Sequence, residues 1–350
     1  MGLLSARELQ RAGARVTLID KNKIGTESSW AGGGILSPLY PWRYTDPVNA
    51  LAKWGQARYP EIAEALTRET GIDPEWTTSG LLILDDLEPD EHHTIATWAK
   101  AFDSRLDLLV NNDIRRCEPV VNNKFSQGIH MPDVAQIRNP RLVKALKVSL
   151  QAAGVDIIED TEVTDIVIKA NQVTGIKTPS GDYTADYVVV ASGAWSTQLL
   201  ADINVTIDVK PVRGQMIIID SQPGLVSKII LENNHYIIPR RDGQLLVGST
   251  LEDVGFDKST TEEAKQLLQQ AAIELVPALD QFKIKHHWAG LRPGSPKGIP
   301  IISAHPDIKG LFINTGHFRN GVILGPASAR LLTELISGKR TILDPEPYTI

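Results

Sequence analysis

The sequence predicts an α/β protein, and three observations carry that expectation. Strand and helix signals alternate along most of the 350 residues. The chain opens on a helical run from Leu3 to Gly13, followed by an apolar strand from Arg15 that ends in an acid, Asp20. The same grammar returns late in the chain, where an apolar strand, Asp186 to Trp195, ends in small residues. The expected architecture is a Rossmann-like nucleotide-binding domain with an inserted α+β domain built on a mixed, largely antiparallel sheet.

Helix, glycine stop, strand and acid form the second half of a βαβ unit. Asp20 lies about twenty residues after the expected phosphate turn, where an acid accepts hydrogen bonds from an adenosine ribose. An acid after a strand is also a common turn residue. The buried first strand and the first two glycines of G-x-G-x-x-G are missing from these residues. Gly2 is therefore read as the third glycine, which lets helix and strand pack closely, and Met1 as an artificial or alternative start.

A glycine-rich stretch, Ser28 to Trp42, comes next. Pro47 to Thr70 is amphipathic and predicts one or two helices, stopped by Gly71 and Pro74. Gly80 to Asp86 predicts a strand, and Glu88 to Asp103 a helix with Pro89 in its first turn. Asn111 to Gln136 is loop-rich. A helix starts at Asn139-Pro140 and runs to a glycine cap at Gly154. Strands follow at 155–160, 163–171 and 173–179, with a hairpin near Ser180-Gly181. From Val209 to Gly248 the pattern is antiparallel, and Thr261 to Leu275 predicts a helix. Lys283 to Pro300 reads as strand and turn, and Ala327 to Ser337 as the final helix. The expected division is a cofactor domain from 1–46, 138–206 and 286–345, with the substrate domain from 47–137 and 207–285.

Composition excludes several function classes. Hydrophobic content of 42% and charged content of 22% describe an ordinary globular chain. A net charge of −6 argues against nucleic acid or anionic lipid as a partner. The single cysteine, Cys117, excludes an intrachain disulfide and fits a reducing cytosol; it is read as a packed thiol. No window approaches a membrane span and no signal peptide is evident, so a cytoplasmic location is expected. His286 and His287 are adjacent and cannot chelate from one strand face, and no metal site is expected.

Four segments point to chemistry. In ESSWAGGGILSP, Gly32, Gly33 and Gly34 expose backbone N–H groups and permit close approach of a flat ring or pyrophosphate. Three glycines also suit a surface loop, but the apolar flank and an embedded Trp30 argue against one. In VVVASGAWS, Ala191, Ser192 and Gly193 suit a strand end packed against a ligand or simply a buried parallel strand. In HHWAGLRPG, Arg292 presents a rigid fork able to bind a carboxylate bidentately. In NTGHFRNG, Gly316, Arg319, Asn320 and Gly321 form a turn into the last helix, whose N-terminus favours negative charge. Tyr236, in HYIIP, is either a site residue or a cross-strand packing residue.

Together these segments resemble the D-amino-acid-oxidase superfamily of FAD enzymes, most closely the bacterial glycine oxidases of thiamine biosynthesis. The likeness runs from Gly2 to about Gly338. It implies non-covalent FAD, with Ser28 and Ser29 near the phosphates, Gly32 to Gly34 beside the flavin and Val163 offering backbone contacts to adenine. Ala191, Ser192 and Gly193 would pack on the cofactor, and Gly316, Arg319, Asn320 and Gly321 would meet the pyrimidine edge of the flavin. Arg292 and Tyr236 would hold the substrate carboxylate, with Ile35 near the substrate.

The implied reaction is oxidation of glycine, or of sarcosine and small D-amino acids, to an imine that water hydrolyses, with dioxygen reduced to peroxide. No acid–base side chain is required, so none is nominated. The resemblance also implies a homo-oligomer. Alternatives are a D-amino-acid dehydrogenase, a sarcosine oxidase, or an inactive protein serving as a binding module. With the phosphate turn missing, the chain as it stands is expected to bind FAD weakly or not at all, whereas an upstream start that restores about 10–20 residues would let the enzyme reading hold.

Overall fold

The computed structural model describes residues 1–84 and 89–350. The opening helix, Gly2–Arg11, feeds strand Thr17–Ile19, which pairs in parallel with Asp156–Ile158. A second parallel pair joins Val188–Val190 to Leu311–Thr315, and Ile301–Ala304 adds antiparallel to the latter. A three-stranded antiparallel sheet, Asp165–Lys169, Gln172–Thr178 and Gly181–Thr184, contains the expected hairpin. These pieces carry the nucleotide-fold grammar seen in the sequence.

Helices Asp46–Thr70, Asn139–Ala152 and Gly321–Ile336 share one apolar core, with Leu51, Leu66, Leu146, Leu324 and Leu331 fully buried or nearly so. Burying each such side chain contributes about 1.5–3 kcal/mol. Helix Asp46–Thr70 is one unbroken element, ended by Gly71 at φ 70°. Its buried face packs on the last helix, so it belongs with the cofactor-side core, although the sequence division placed residues from 47 onward in the insert.

The last helix begins at Gly321, six residues earlier than expected, because Pro326 lies inside it. A proline there lacks the N–H that would bond the Val322 carbonyl. The buried Tyr59 hydroxyl donates to that carbonyl instead, at 2.6 Å. Gly55 permits this approach, since a Cβ at that position would overlap the Ile323 carbonyl oxygen.

The insert is an eight-stranded mixed sheet. Its order is Ile284–Gly294, Lys210–Asp220, Gln244–Gly248, His235–Pro239, Ile229–Glu232, Leu81–Ile83, Gln127–Met131 and Asp107–Val110. Only the pairing of Ile229–Glu232 with Leu81–Ile83 is parallel. Strand alternation sends Ile217, Ile237 and Val247 to one face, beneath helix Glu262–Leu275. Met216, Tyr236 and Ile238 take the other face, against the loop carrying Leu39, Tyr40 and Trp42. Residues 286–294, expected in the cofactor domain, form most of an edge strand of this sheet, and an edge position tolerates Pro293.

The expected strand through Asp86 is seen as Leu81–Ile83; Asp85, Asp86 and the expected helix start at Glu88 lie outside the described residues. Among the described residues, no helix is long and apolar enough to cross a membrane.

Candidate functional site

A cleft of ≈ 1900 Å³ runs from the Met216 face of the large sheet to the ends of the parallel strands. Every sequence-nominated residue except Gly316 lines it. Gly316 instead makes the turn, at φ 78°, and its carbonyl accepts from Ser295 Oγ at 2.5 Å.

At the sheet end, Arg292 lies opposite Val212 on the neighbouring strand. Its Nη2 donates to Ser249 Oγ at 2.8 Å and its Nη1 to the Thr250 carbonyl at 3.1 Å. Both acceptors are neutral. Glu252, the acid that acts on it from a distance, is taken by Arg213 at 2.5 Å. Burial lowers the Arg292 pKa, with the Tyr236 hydroxyl opposing that shift. A surrounded cation with dipoles but no counter-ion is a receptor for a carboxylate.

Tyr236 sits on the same sheet face, opposite Gly248, with its hydroxyl 3.9 Å from Met216 Sδ. Ile35, half-buried, packs on this apolar cluster from the glycine-rich loop. His235, next along the strand, alternates away from Tyr236 as expected.

The glycine triplet is explained by protein as much as by any ligand. A Cβ on Gly32 would lie 2.8 Å from Asn139 Nδ2, and one on Gly33 2.8 Å from Ile238 Cδ1. Gly34, at φ 78°, abuts the Ile137 carbonyl and Asn139 Oδ1. The loop is pinned further by half-buried Arg240, whose Nη2 donates to the Gly33 carbonyl at 2.7 Å. Burial lowers the Arg240 pKa to about 10. Just before the triplet, Ser28 and Ser29 begin a one-turn helix, Ser28–Ala31. Trp30 is 44% exposed and meets Trp288 edge-on, so it is not embedded as the sequence suggested.

At the far end, Gly2 starts the first helix, where a Cβ would sit 3.2 Å from Leu18 Cδ1. That contact brings the helix close to strand Thr17–Ile19. Asp20 accepts from the Asn22 N–H at 3.0 Å. Burial raises its pKa, and nearby Glu27 and Glu159 add to the rise. Val163 precedes strand Asp165–Lys169 and does not lie within it. Ala191 and Ser192 follow strand Val188–Val190, and Gly193 turns the chain at φ 57°.

Asn320 and Gly321 open the last helix, and Arg319 Nη1 donates to Asn234 Oδ1 at 3.2 Å, tying that turn to the large sheet. His317, between them and Gly316, is fully buried against Ser328 Oγ at 3.0 Å. Burial, helped by the Met1 amino group, lowers its pKa to about 3.

Sequence inspection missed Gly214, Gly248, Asn139 and Asn314. The first two interrupt otherwise regular strand patterns, a signal of close approach that was available. The asparagines carried no local signal. Both amide atoms of Asn139, Oδ1 of Asn314 and Nδ2 of Asn320 are buried along the cleft without hydrogen-bond partners. Such orphans are costly alone and suit a large, elongated ligand with polar edges.

The family model for FAD dependent oxidoreductases (DAO) matches residues 1–335. The chain is 46% identical over 349 residues to a glycine oxidase of Pseudomonas aeruginosa, covering 99% of this chain and 95% of the relative. It is 30% identical over 340 residues to a bifunctional protein ThiO/ThiG of Trichormus variabilis, covering 96% of this chain and 51% of that protein. The crystal structure of glycine oxidase from Geobacillus kaustophilus superposes with a TM-score of 0.94 at 29% identity, covering 99% of this chain and 95% of that one.

Proposed function

We propose that this chain, which belongs to the FAD dependent oxidoreductase family, acts as a glycine oxidase. The observation that carries the proposal is Arg292: a surrounded guanidinium, held by neutral acceptors, at the end of a cleft lined with nucleotide-fold residues.

The orphaned amides of Asn139, Asn314 and Asn320 fit FAD, which offers donors and acceptors along its length. Asp20 would hold the adenosine ribose and Val163 the adenine. Ser28 and Ser29 would face the phosphates, and Ala191 to Gly193 the body of the cofactor. Gly32 to Gly34 would lie beside the flavin, and Arg319, Asn320 and Gly321 at its pyrimidine edge. Cys117 lies outside these segments, so no thiol is placed to attach the flavin, and the binding we propose is non-covalent. When bound, FAD supplies the two-electron acceptor that the protein's own side chains lack.

The protein's part is positioning. Arg292 takes the substrate carboxylate and Tyr236 adds a hydroxyl donor, which fixes Cα relative to the cleft wall. Ile35 and Met216 line this end of the cleft and present apolar surface to it. Glycine loses two electrons and two protons to become its imine, which water hydrolyses to glyoxylate and ammonia. Dioxygen takes up the same electrons and protons to leave hydrogen peroxide. No acid–base side chain is assigned.

The resemblance places this chemistry in the supply of the thiamine thiazole. A cytosolic location, from the single cysteine, and a homo-oligomeric assembly belong to the same reading. Purified protein is expected to be yellow and to consume oxygen and release peroxide when given glycine. Colourless protein that stays so with added FAD overturns the proposal. Dye reduction without oxygen uptake would make it a dehydrogenase.

A further inference from the structure

The eight-stranded sheet carries three glycines on its cleft-facing side where strand propensity favours larger residues: Gly214, Gly290 and Gly248. Gly214 and Gly290 are directly paired, and Gly248 is paired with both Met216 and Tyr236. Each is bare for a visible reason. A Cβ on Gly214 would overlap Nη1, Nη2 and Cζ of Arg292. One on Gly290 would lie 2.5 Å from Ala31 Cβ, and one on Gly248 2.9 Å from the Tyr236 hydroxyl and Met216 Cε.

Arg292 sits opposite Val212, and its side chain runs along the sheet until the guanidinium rests flat over Gly214. From that position the fork reaches Ser249 Oγ and the Thr250 carbonyl.

We infer that Gly214 is a positioning residue: its missing side chain sets the depth of the Arg292 guanidinium, and through it where a substrate carboxylate, and so Cα, comes to rest. The inference builds on the reading of Arg292 as carboxylate anchor. The overlapping atoms belong to the far end of a flexible side chain and not to backbone, so an alanine at 214 displaces the guanidinium and leaves the strand in place. Displacement is toward the cleft, into space the substrate needs, and away from Ser249. Gly248 does the same for the Tyr236 hydroxyl with a smaller overlap.

The test is a double-mutant cycle on the flavin-loaded enzyme, with glycolate as the probe. Gly214→Ala is expected to raise the glycolate Kd and the glycine KM at least tenfold, with bound flavin unchanged and kcat reduced less. In an Arg292→Lys background, where a single unforked ammonium clears the Cβ, adding Gly214→Ala is expected to change the glycolate Kd less than twofold and the Tm little. Where that background binds glycolate too weakly to measure, the Tm comparison decides. If Gly214→Ala alone fails to fold, the double variant is expected to fold and hold flavin. Equal losses in both backgrounds, or failure of both to fold, would show that the glycine serves the strand and overturn the inference. Wild-type protein that binds flavin but shows no Arg292-dependent glycolate affinity would instead remove the anchor reading itself.

Discussion

The two ends of the cleft treat their polar groups in opposite ways. At the sheet end, Arg292 is supplied with Ser249, Thr250 and, more loosely at 3.4 Å, the Arg213 carbonyl. Along the rest of the cleft, amide atoms of Asn139, Asn314 and Asn320 are buried without partners. The contrast teaches a division of labour. On the proposed reading, the substrate anchor is organised by the protein itself, whereas the cofactor groove is completed by what it binds.

The strongest way to break that contrast is to remove the anchor. Arg292→Leu is expected to lower kcat/KM for glycine by roughly 150- to 5000-fold, the scale of losing about 3–5 kcal/mol from a buried charge pair. Flavin content should stay near wild type. Loss of flavin in proportion would mean that the two ends do not act separately.

Next in size is the effect of ligand on stability. FAD at about 100 times its Kd should stabilise the protein by about 2.7 kcal/mol, measured as a shift in the circular-dichroism melt. Glycolate without FAD should move the melt much less. A larger shift from glycolate would reverse the contrast.

Acid should weaken the nucleotide end through His317. The unfolded ring titrates at 6.5, and burial lowers the folded pKa to about 3. Above pH 6.5 neither state is protonated and the full stability is present. From pH 6.5 down toward 3 the unfolded chain takes up a proton that the folded one refuses, so stability falls by up to about 1.4 kcal/mol per pH unit. His317→Gln should flatten the pH dependence of urea unfolding across that window. An unchanged slope would show that other groups control acid unfolding.

The smallest effect sharpens the comparison most. Asn139→Ala removes a buried amide that lacks partners, so cofactor-free stability should stay level or rise. FAD affinity should weaken by about fivefold, near 1 kcal/mol. A fall in cofactor-free stability would mean that Asn139 is already satisfied within the fold.

Much of this was legible in the sequence. Glycine stops, an acid at a strand end and Arg292 between Leu291 and Pro293 are local signals, and local signals survive folding. The α/β class came from them, while the FAD dependence and the roles of the nominated cleft residues came from the family resemblance that those segments carry. What stayed hidden depends on partners distant in the chain. Helix Asp46–Thr70 was assigned to the insert because its sequence shows amphipathicity but not which neighbour covers its buried face. Strand Ile284–Gly294 was read as strand and turn, but its local pattern does not say which sheet it borders. Trp30 looked embedded because apolar flanks do not report exposure.

One feature of the last helix reaches beyond its own turn. Pro326 breaks a bond that Tyr59 remakes from another helix, to a carbonyl 263 positions away in the chain. The two residues are therefore physically coupled: exchanging the proline for alanine would free the tyrosine to become phenylalanine, while losing the hydroxyl first would strand a carbonyl. Because this helix begins at the turn bearing Arg319 and Asn320, and Tyr59 itself lines the cleft, the order of those two substitutions would be felt at the cleft wall.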